Sequence, residues 1–465
     1  MRKFSVSVNK LKFGDRLVPT FYYYTQIIKQ ENQKKGISYI KLGQYSTISD
    51  GEHSAIPRNN KNGIRYLYGR NIKEGVVNFD PISDDSYINP SDYESFTRCH
   101  IKQNDVLIAI YGTIGKSAIY RKEYIGQAGI PRHISNITIK KGSPITPEYL
   151  SAFFRSKLGK WQLFSVTTGN IQQLLSLKNL REFEIPVAAK GVIDKVTNNE
   201  REALEYEILA QGKIKEAQQI LYGSLNFDVT SIKRDFSFHL NFSELNTNNI
   251  WSASLYDKLY VKMADALIEF NGIKTLRELV NFSKGDEVGS ENYNDFIDRT
   301  DNDKPFIRTS DIVNHEVDLY PDYYISAEAT NDVKQKLKEG DVIFTKDGKI
   351  GCVGMITSVD DVIISSGIEY LRLTKEALKM GFTQEYLFTA LSIPEIGLYA
   401  ATRRTVIAST IPHLREERLK DIEIPIISQE NIDKITILIK EAFKLKSKRK
   451  EIIKMTDQLI NCYLS

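Results

Sequence analysis

The sequence predicts an α/β (α+β) chain of two tandem αβ heads, each followed by one long helix. Three observations lead there: an ordered internal repeat, a strand-and-loop texture opening each repeat, and a glycine-poor helical stretch closing it. The repeat carries the most weight. "DVLIAIYGTIGK" (105–116) returns as "DVIFTKDGKIGC" (341–352), with aspartate, valine, both glycines and the isoleucine between them kept. Upstream, "KLGQYSTISDG" (41–51) pairs with "TLRELVNFSKG" (275–285), and "YGRNI" (68–72) with "RTSDI" (308–312). Downstream, "TPEYL" (146–150) pairs with "TQEYL" (383–387), and "LREFEIPV" (180–187) with "LKDIEIPI" (419–426). Order is kept while the offset drifts by a few residues, which chance matches of short strings do not do. The chain is a tandem duplication with units of about 235 residues.

Each unit opens on short β-branched and aromatic runs broken by Gly, Asn, Asp and Pro. "GIRYLYG" (63–69), "NITI" (136–139), "DVIISSG" (361–367) and "EYLRL" (369–373) read as strands and their turns. Short helices such as "TPEYLSAFFRSKLG" (146–159) interrupt them. The stretch 190–222 then has no proline and only Gly191 and Gly212, and 428–465 has neither residue type. Steps of three and four from Ile193 reach Val196, Glu200, Ala203, Glu207, Ala210, Ile214, Ala217 and Leu221, seven apolar of nine. The same steps from Ile435 reach Leu438, Ala442, Leu445, Arg449, Ile452, Thr456, Leu459 and Tyr463, again seven of nine. These seams start 242 positions apart and are expected in phase. One stripe on each helix suits pairing of the two helices, with the heads held apart along a shared spacer. The plainer alternative is that each helix packs only on its own head.

The 465 residues, 41% hydrophobic and 26% charged, allow two to four domains of an ordinary globular kind. No apolar run is long enough to span a membrane. The start, "MRKFSVSVNKLKFGDR", lacks the apolar core and cleavage site of an export signal. Cys99, Cys352 and Cys462 form no C-x-x-C pair, which speaks against a zinc site and fits a reducing cytoplasm. The net charge of +4 is unevenly spread. Residues 1–200 hold 29 Lys+Arg against 17 Asp+Glu, residues 201–400 hold 21 against 33, and the last 65 hold 13 against 9. A polyanion favours the first part; the acidic middle can meet it only through local basic loops.

Catalytic patterns are missing. There is no Pro-Pro pair and hence no [DNS]-P-P-[YF] loop, no G-x-x-x-x-G-K-[ST] and no G-x-S-x-G. The six histidines form neither H-x-x-x-H nor H-E-x-x-H, and "SDD" (83–85) and "VDD" (359–361) read as solvated turns rather than metal ligands. "YGTIGK" (111–116) has the form of a phosphate cradle completed by Lys116. Its copy "DGKIGC" (347–352) has aspartate at the Tyr111 position and cysteine at the Lys116 position, and no shared chemistry survives those exchanges. The glycines are therefore read as scaffold, marking turns that need φ > 0 or close approach, with a phosphate cradle as the alternative.

With "DVLIAIYGTIGK" in the head, "LREFEIPV" before the helix and the whole unit duplicated, the chain resembles the specificity (S) subunit of type I restriction–modification systems over essentially its full length. The resemblance implies two target recognition domains, 1–188 and 226–427. It also implies spacer helices at 189–225 and 428–465, pairing as an antiparallel coiled coil. Each head would read one half of a bipartite site on double-stranded DNA. The helices would bind two adenine-N6 methyltransferase (M) subunits, which a translocating nuclease (R) subunit can join. No cofactor is expected on this chain; S-adenosylmethionine belongs to the M subunit. The aromatic lead-ins at 15–26 and 250–263 are longer than in the shortest members and leave the restriction class open, a type IIB-like system included.

Readout of base edges needs Arg or Lys toward guanine and Asn or Gln toward adenine, while phosphate contacts only position the head. On that basis the first head offers Arg65, Arg70, Tyr111, Lys116, Arg132, His133, Asn170, Gln172 and Gln173. The second offers Arg308, Lys346, Lys349, Arg403 and Arg404. About half of this set is expected on the DNA face. Two other readings stay open at this point: a pseudo-dimeric nuclease with a concealed acidic site, and an adaptor whose helix pair recruits partners without DNA.

Overall fold

The computed structural model describes residues 28–58, 63–79, 87–112, 114–167, 174–225, isolated positions from 237 to 267, 272–295, 299–300, 302–408 and 411–464. The lead-in at 15–26 and most of that at 250–263 lie outside these residues. The chain divides into two compact units, 1–205 with 449–465, and 206–448. Helix and sheet are mixed in both.

The first unit is built on a four-stranded antiparallel sheet in the order Ser46–Asp50, Ile134–Ile139, Val106–Ala109, Ser117–Ile119. The second repeats it with Val280–Lys284, Ile368–Leu373, Val342–Thr345 and Val353–Met355. In the second strand of each order one apolar residue pairs with an apolar residue on both sides. Ile137 pairs with both Ile48 and Val106, and Leu371 with both Phe282 and Val342. The head helices Pro147–Arg155 and Gln384–Ser392 cover these sheets, each opened by a threonine cap, Thr146 or Thr383, whose hydroxyl accepts from the amide three residues on, that of Tyr149 or Tyr386.

The repeat is kept at the level of single hydrogen bonds. Tyr149 donates its hydroxyl to the Pro186 carbonyl (2.8 Å) and Tyr386 to that of Pro425 (2.6 Å). Asn71 and Asp311 each accept the backbone N–H three residues before them, from Tyr68 and Arg308. Each also gives its own carbonyl to a later amide, that of Asn78 or Asp318, at 2.7 Å. In the glycine turns φ is +74° and +82° at Gly112 and Gly115, and +65° and +81° at Gly348 and Gly351. Both turns therefore need glycine for backbone reasons, in line with the scaffold reading.

The long helices run Lys190–Leu225 and Gln429–Leu464. In the first unit the amide of Ala189 donates to the Tyr463 hydroxyl (3.0 Å) and Asn199 to Thr456 (3.1 Å). In the second, Lys213 meets Glu441, and Asn431 donates to Ser224 (2.9 Å). One number falls as the other rises, so the helices pair antiparallel within each unit. They also join the heads' cores: Ile193, Val196, Ile460 and Leu464 pack with the first sheet, and Ala210, Ile214, Ile435 and Ile439 with the second. Pairing and head packing thus share one stripe.

The expected phase of the second helix needs correction. Its buried residues are Ile432, Ile435, Ile439, Ala442, Phe443, Lys446, Arg449, Lys450, Ile453, Thr456, Ile460 and Leu464, while Leu438, Leu445, Ile452, Leu459 and Tyr463 are only half-buried. Ile193 therefore corresponds to Ile432, 239 positions on. The apolar count skipped this line because it contains charges. Lys446 is buried between Glu207 (3.2 Å) and Glu316 (3.1 Å), which makes its burial tolerable.

Candidate nucleic-acid interface

In the first head, the strand Ser46–Asp50 runs into a loop that lies directly on the turn at 130–133. The amide of Glu52 donates to the Ile130 carbonyl (3.0 Å), and the amide of Arg132 donates to that of Glu52 (2.9 Å). A Cβ at Gly51 would collide with the carbonyls of Ile130 and Pro131, so only glycine lets the two loops touch. Tyr111, from the glycine turn, sets its ring edge-on to His133 at 5.5 Å. Asp50 accepts from Arg98 and from Nε2 of His53 (2.9 Å).

Arg132 is exposed, and Tyr111 (39%), His53 (49%) and Arg98 (54%) are open to solvent. Burial alone would lift the Asp50 carboxyl, but the hydrogen bonds from Arg98 and His53 outweigh it and hold the group below its ordinary range. His133 is pushed below the usual imidazole value, first by burial and then by the charges of Arg132 and His53. It is therefore neutral at pH 7. The surface presents two guanidinium groups, two imidazoles and a phenol on loops held by main-chain bonds. That is the donor-rich chemistry that guanine and phosphate oxygens accept.

The second head builds the same loops with other side chains. Gly285 lies against the Ile364 and Ser365 carbonyls as Gly51 does against its own pair, which puts Ser366 and Gly367 where Arg132 and His133 stand. Asp347 replaces Tyr111. Its Oδ1 lies 2.5 Å from Nδ1 of His413, which is 55% exposed, and Lys346 reaches its Oδ2 at 3.3 Å. His413 ends a hairpin of Val406–Ala408 and Ile411–His413. Behind the turn Glu369 is 1% exposed, with neither carboxylate oxygen hydrogen-bonded and Lys346 at 3.9 Å. Burial pushes it up to about 7.

The other expected contacts divide sharply. Arg70 is exposed over the Tyr68 ring (4.6 Å), with Arg58 stacked on the Tyr66 ring (4.2 Å) beside it. Arg65 is half-buried over Phe79 (4.5 Å), and burial lowers its pKa. Lys116 does not reach the surface. It is 9% exposed beside the buried pair Glu74–Lys160, so its reading as a phosphate or base contact gives way to a structural one. Arg308 is held by Asp322 (2.9 Å) over Tyr323 (4.3 Å), and Lys349 is half-buried in the glycine turn. Arg403 donates to the Leu255 carbonyl (2.9 Å), and Arg404 forks onto Glu423 (2.9 and 3.0 Å). These two are tied into their own head. Asn170, Gln172 and Gln173 lie outside the described residues. His53, Arg98 and His413 escaped sequence reasoning. His53 alone left a signal there, two residues after the glycine matched by Gly285.

No group of His, Cys, Asp or Glu among the described residues is arranged to hold a metal ion, and no helix among them is long and apolar enough to cross a membrane.

Residues 270–455 match the family described as type I restriction modification DNA specificity domain. No curated protein matches the chain. Among solved structures, it is similar to the type I restriction–modification S subunit from M. genitalium (TM-score 0.35, 10% identity, 92% of this chain and 96% of that one). It is also similar to the HsdS subunit from Thermoanaerobacter tengcongensis (TM-score 0.27, 15% identity, 92% and 96%). A third is a structure from work on complex assembly and conformational transition of the type I R-M system (TM-score 0.27, 16% identity, 92% and 96%).

Proposed function

We propose, from residues 270–455 belonging to the type I restriction modification DNA specificity family, that this chain is the DNA-recognition subunit of such a system and is not itself an enzyme. The observation that carries the reading to the whole chain is the duplication. The first head repeats the sheet order, glycine turns, Tyr149/Tyr386 bond and Asn71/Asp311 caps of the matched one. Two copies of one DNA reader on one chain favour a bipartite target, with one half-site per head.

In this reading the first head meets DNA through Arg132, His133 and Tyr111, with His53 and Arg98 beside them. The second meets it through the turn carrying Lys346, Asp347 and His413. Methyl transfer to adenine N6 and the S-adenosylmethionine it needs belong to a partner M subunit, and cleavage to an R subunit. What this chain supplies is position: donors matched to base edges and charges set against phosphate. The pure chain, incubated with S-adenosylmethionine and DNA, is expected to transfer no methyl groups. Addition of its M subunit should produce N6-adenine methylation at one bipartite sequence. Methylation by the chain alone would overturn the reading.

A further inference from the structure

A duplicated chain carries an ambiguity: two similar heads face two similar helix segments. The common part of the docking contact makes it worse. Thr146 meets Thr197 at 2.7 Å in the first unit, and Thr383 meets Thr436 at 2.7 Å in the second. Both bonds join the start of a head helix to a long helix. Nothing in them tells one head from the other.

The far end of the same head helix does. Arg155 is the last residue of Pro147–Arg155 and is fully buried. Its Nη2 lies 2.5 Å from Oε1 of Glu200 on the first long helix, and its Nε 2.9 Å from Oδ1 of Asp457 on the second. Gly75 closes over it, since a Cβ there would stand 2.9 Å from the guanidinium. Ser392 is the last residue of Gln384–Ser392 and takes the same place in the other head. The Thr197–Thr436 correspondence, 239 positions, puts Ile439 at the Glu200 level and Gln218 at the Asp457 level. Ile439 is buried, and Gln218 donates to the Ser392 hydroxyl at 2.9 Å. One head thus docks by one cation on two carboxylates, the other by a neutral serine–glutamine bond beside an isoleucine.

We propose that Arg155–Glu200–Asp457 and Ser392–Gln218–Ile439 are two mutually exclusive docking codes that assign each head to its own segment of the helix pair. The first head on the second segment would bury a guanidinium against Ile439 and Gln218 with no counter-charge. The second head on the first segment would leave two neighbouring carboxylates without their cation. An unpaired buried charge is among the costliest defects a protein interface can hold. The shared threonine bond supplies a common register, and the codes supply the choice.

Full-length chains test this by hydrogen exchange. In one, a second copy of residues 38–187 replaces 273–426, giving two first heads. On the natural helices, amides around 432–442 should exchange roughly a hundredfold faster than in the parent chain, as the second copy stays undocked. Adding Gln218→Asp and Ile439→Glu should restore their protection. Equal protection with and without those two changes overturns the proposal. A second series leaves both heads in place: Arg155→Ser alone should expose 193–203, whereas Arg155→Ser with Glu200→Ile and Asp457→Gln should protect it again. A triple variant no better than Arg155→Ser also overturns the proposal.

Discussion

Glu369 places a titrating group inside the second head, and the cost of ionising it can be worked out. It lies in Ile368–Leu373, between Phe344 and Lys284 on the flanking strands. Its side chain is almost wholly enclosed, and neither oxygen has a hydrogen-bond partner. Burial raises its pKa from 4.5 to about 7, more than Lys346 and Lys284 can offset, while Glu416 and Asp347 push the same way as burial. A raised folded-state value means that the folded head binds this proton more tightly than the unfolded chain does. The contribution is fully present below pH 4.5 and is lost as pH rises through about 7. A shift of this size corresponds to about 3 kcal/mol, since each pKa unit is worth about 1.4 kcal/mol.

Glu369→Gln keeps the shape and removes the charge. Amide exchange in Val342–Thr345 and Ile368–Leu373, corrected for intrinsic rate, reports the opening free energy of this sheet. At pH 5 parent and variant should differ by under about 1 kcal/mol. At pH 8 the variant should be more stable by about 3 kcal/mol, or roughly a hundredfold in opening. A difference that is the same at pH 5 and pH 8, or no gain at pH 8, would refute the assignment of a buried, nearly unpaired carboxyl at this position.

Two further outcomes follow from the surfaces and helices. Arg132→Ala should weaken DNA binding by about 1–3 kcal/mol at one base position of one half-site, measured on a panel of single-base variants. An equal loss on every sequence with a shallower salt slope would make Arg132 a phosphate clamp. Inserting one heptad after Ala210 and another at the facing level of the second helix, just past Lys444, keeps both buried stripes in phase. Methylation mapping with the M subunit should then return the same half-sites with a gap longer by about three base pairs, from about 10 Å of added helix. An unchanged gap would mean that the helices do not set it.

Much of the fold was legible because the repeated strings are those whose side chains hold the backbone. Asn71 and Asp311 differ in charge, yet each caps its own turn, so either residue serves and the motif survives. Tyr149 and Tyr386 sit on a carbonyl that only a long hydroxyl side chain reaches. The phase of the second helix was not legible, because Lys446 belongs to the buried line. Its partners Glu207 and Glu316 lie 239 and 130 residues away, beyond anything local spacing reveals. Burial and ion pairing of two candidate contacts were hidden in the same way. Lys116 looked like a surface lysine until Glu74 and Lys160 closed around it, and Arg404 until Glu423 did. His53 and Arg98 form one site only because both reach Asp50, the second across 48 residues.

The division between what repeats and what varies has a physical cause. Each glycine turn is tied to the neighbouring loops by the same pair of backbone bonds. The amide of Ile110 donates to the His133 carbonyl (3.0 Å) and that of Lys346 to the Gly367 carbonyl (2.9 Å). The next loop closes the arrangement, Leu175 onto Ile110 (3.1 Å) and Leu414 onto Lys346 (2.8 Å). Such bonds do not depend on side-chain identity, so His133 can become Gly367 and Tyr111 can become Asp347 with the loops still in place. The positively twisted glycines tolerate no such exchange, because a Cβ at Gly115 would meet Leu163 and one at Gly351 would meet Leu398. The residues kept between the two turns are thus those that shape the main chain or fill the core. The exposed side chains at the tips are released to differ, as the proposed pair of readers would require.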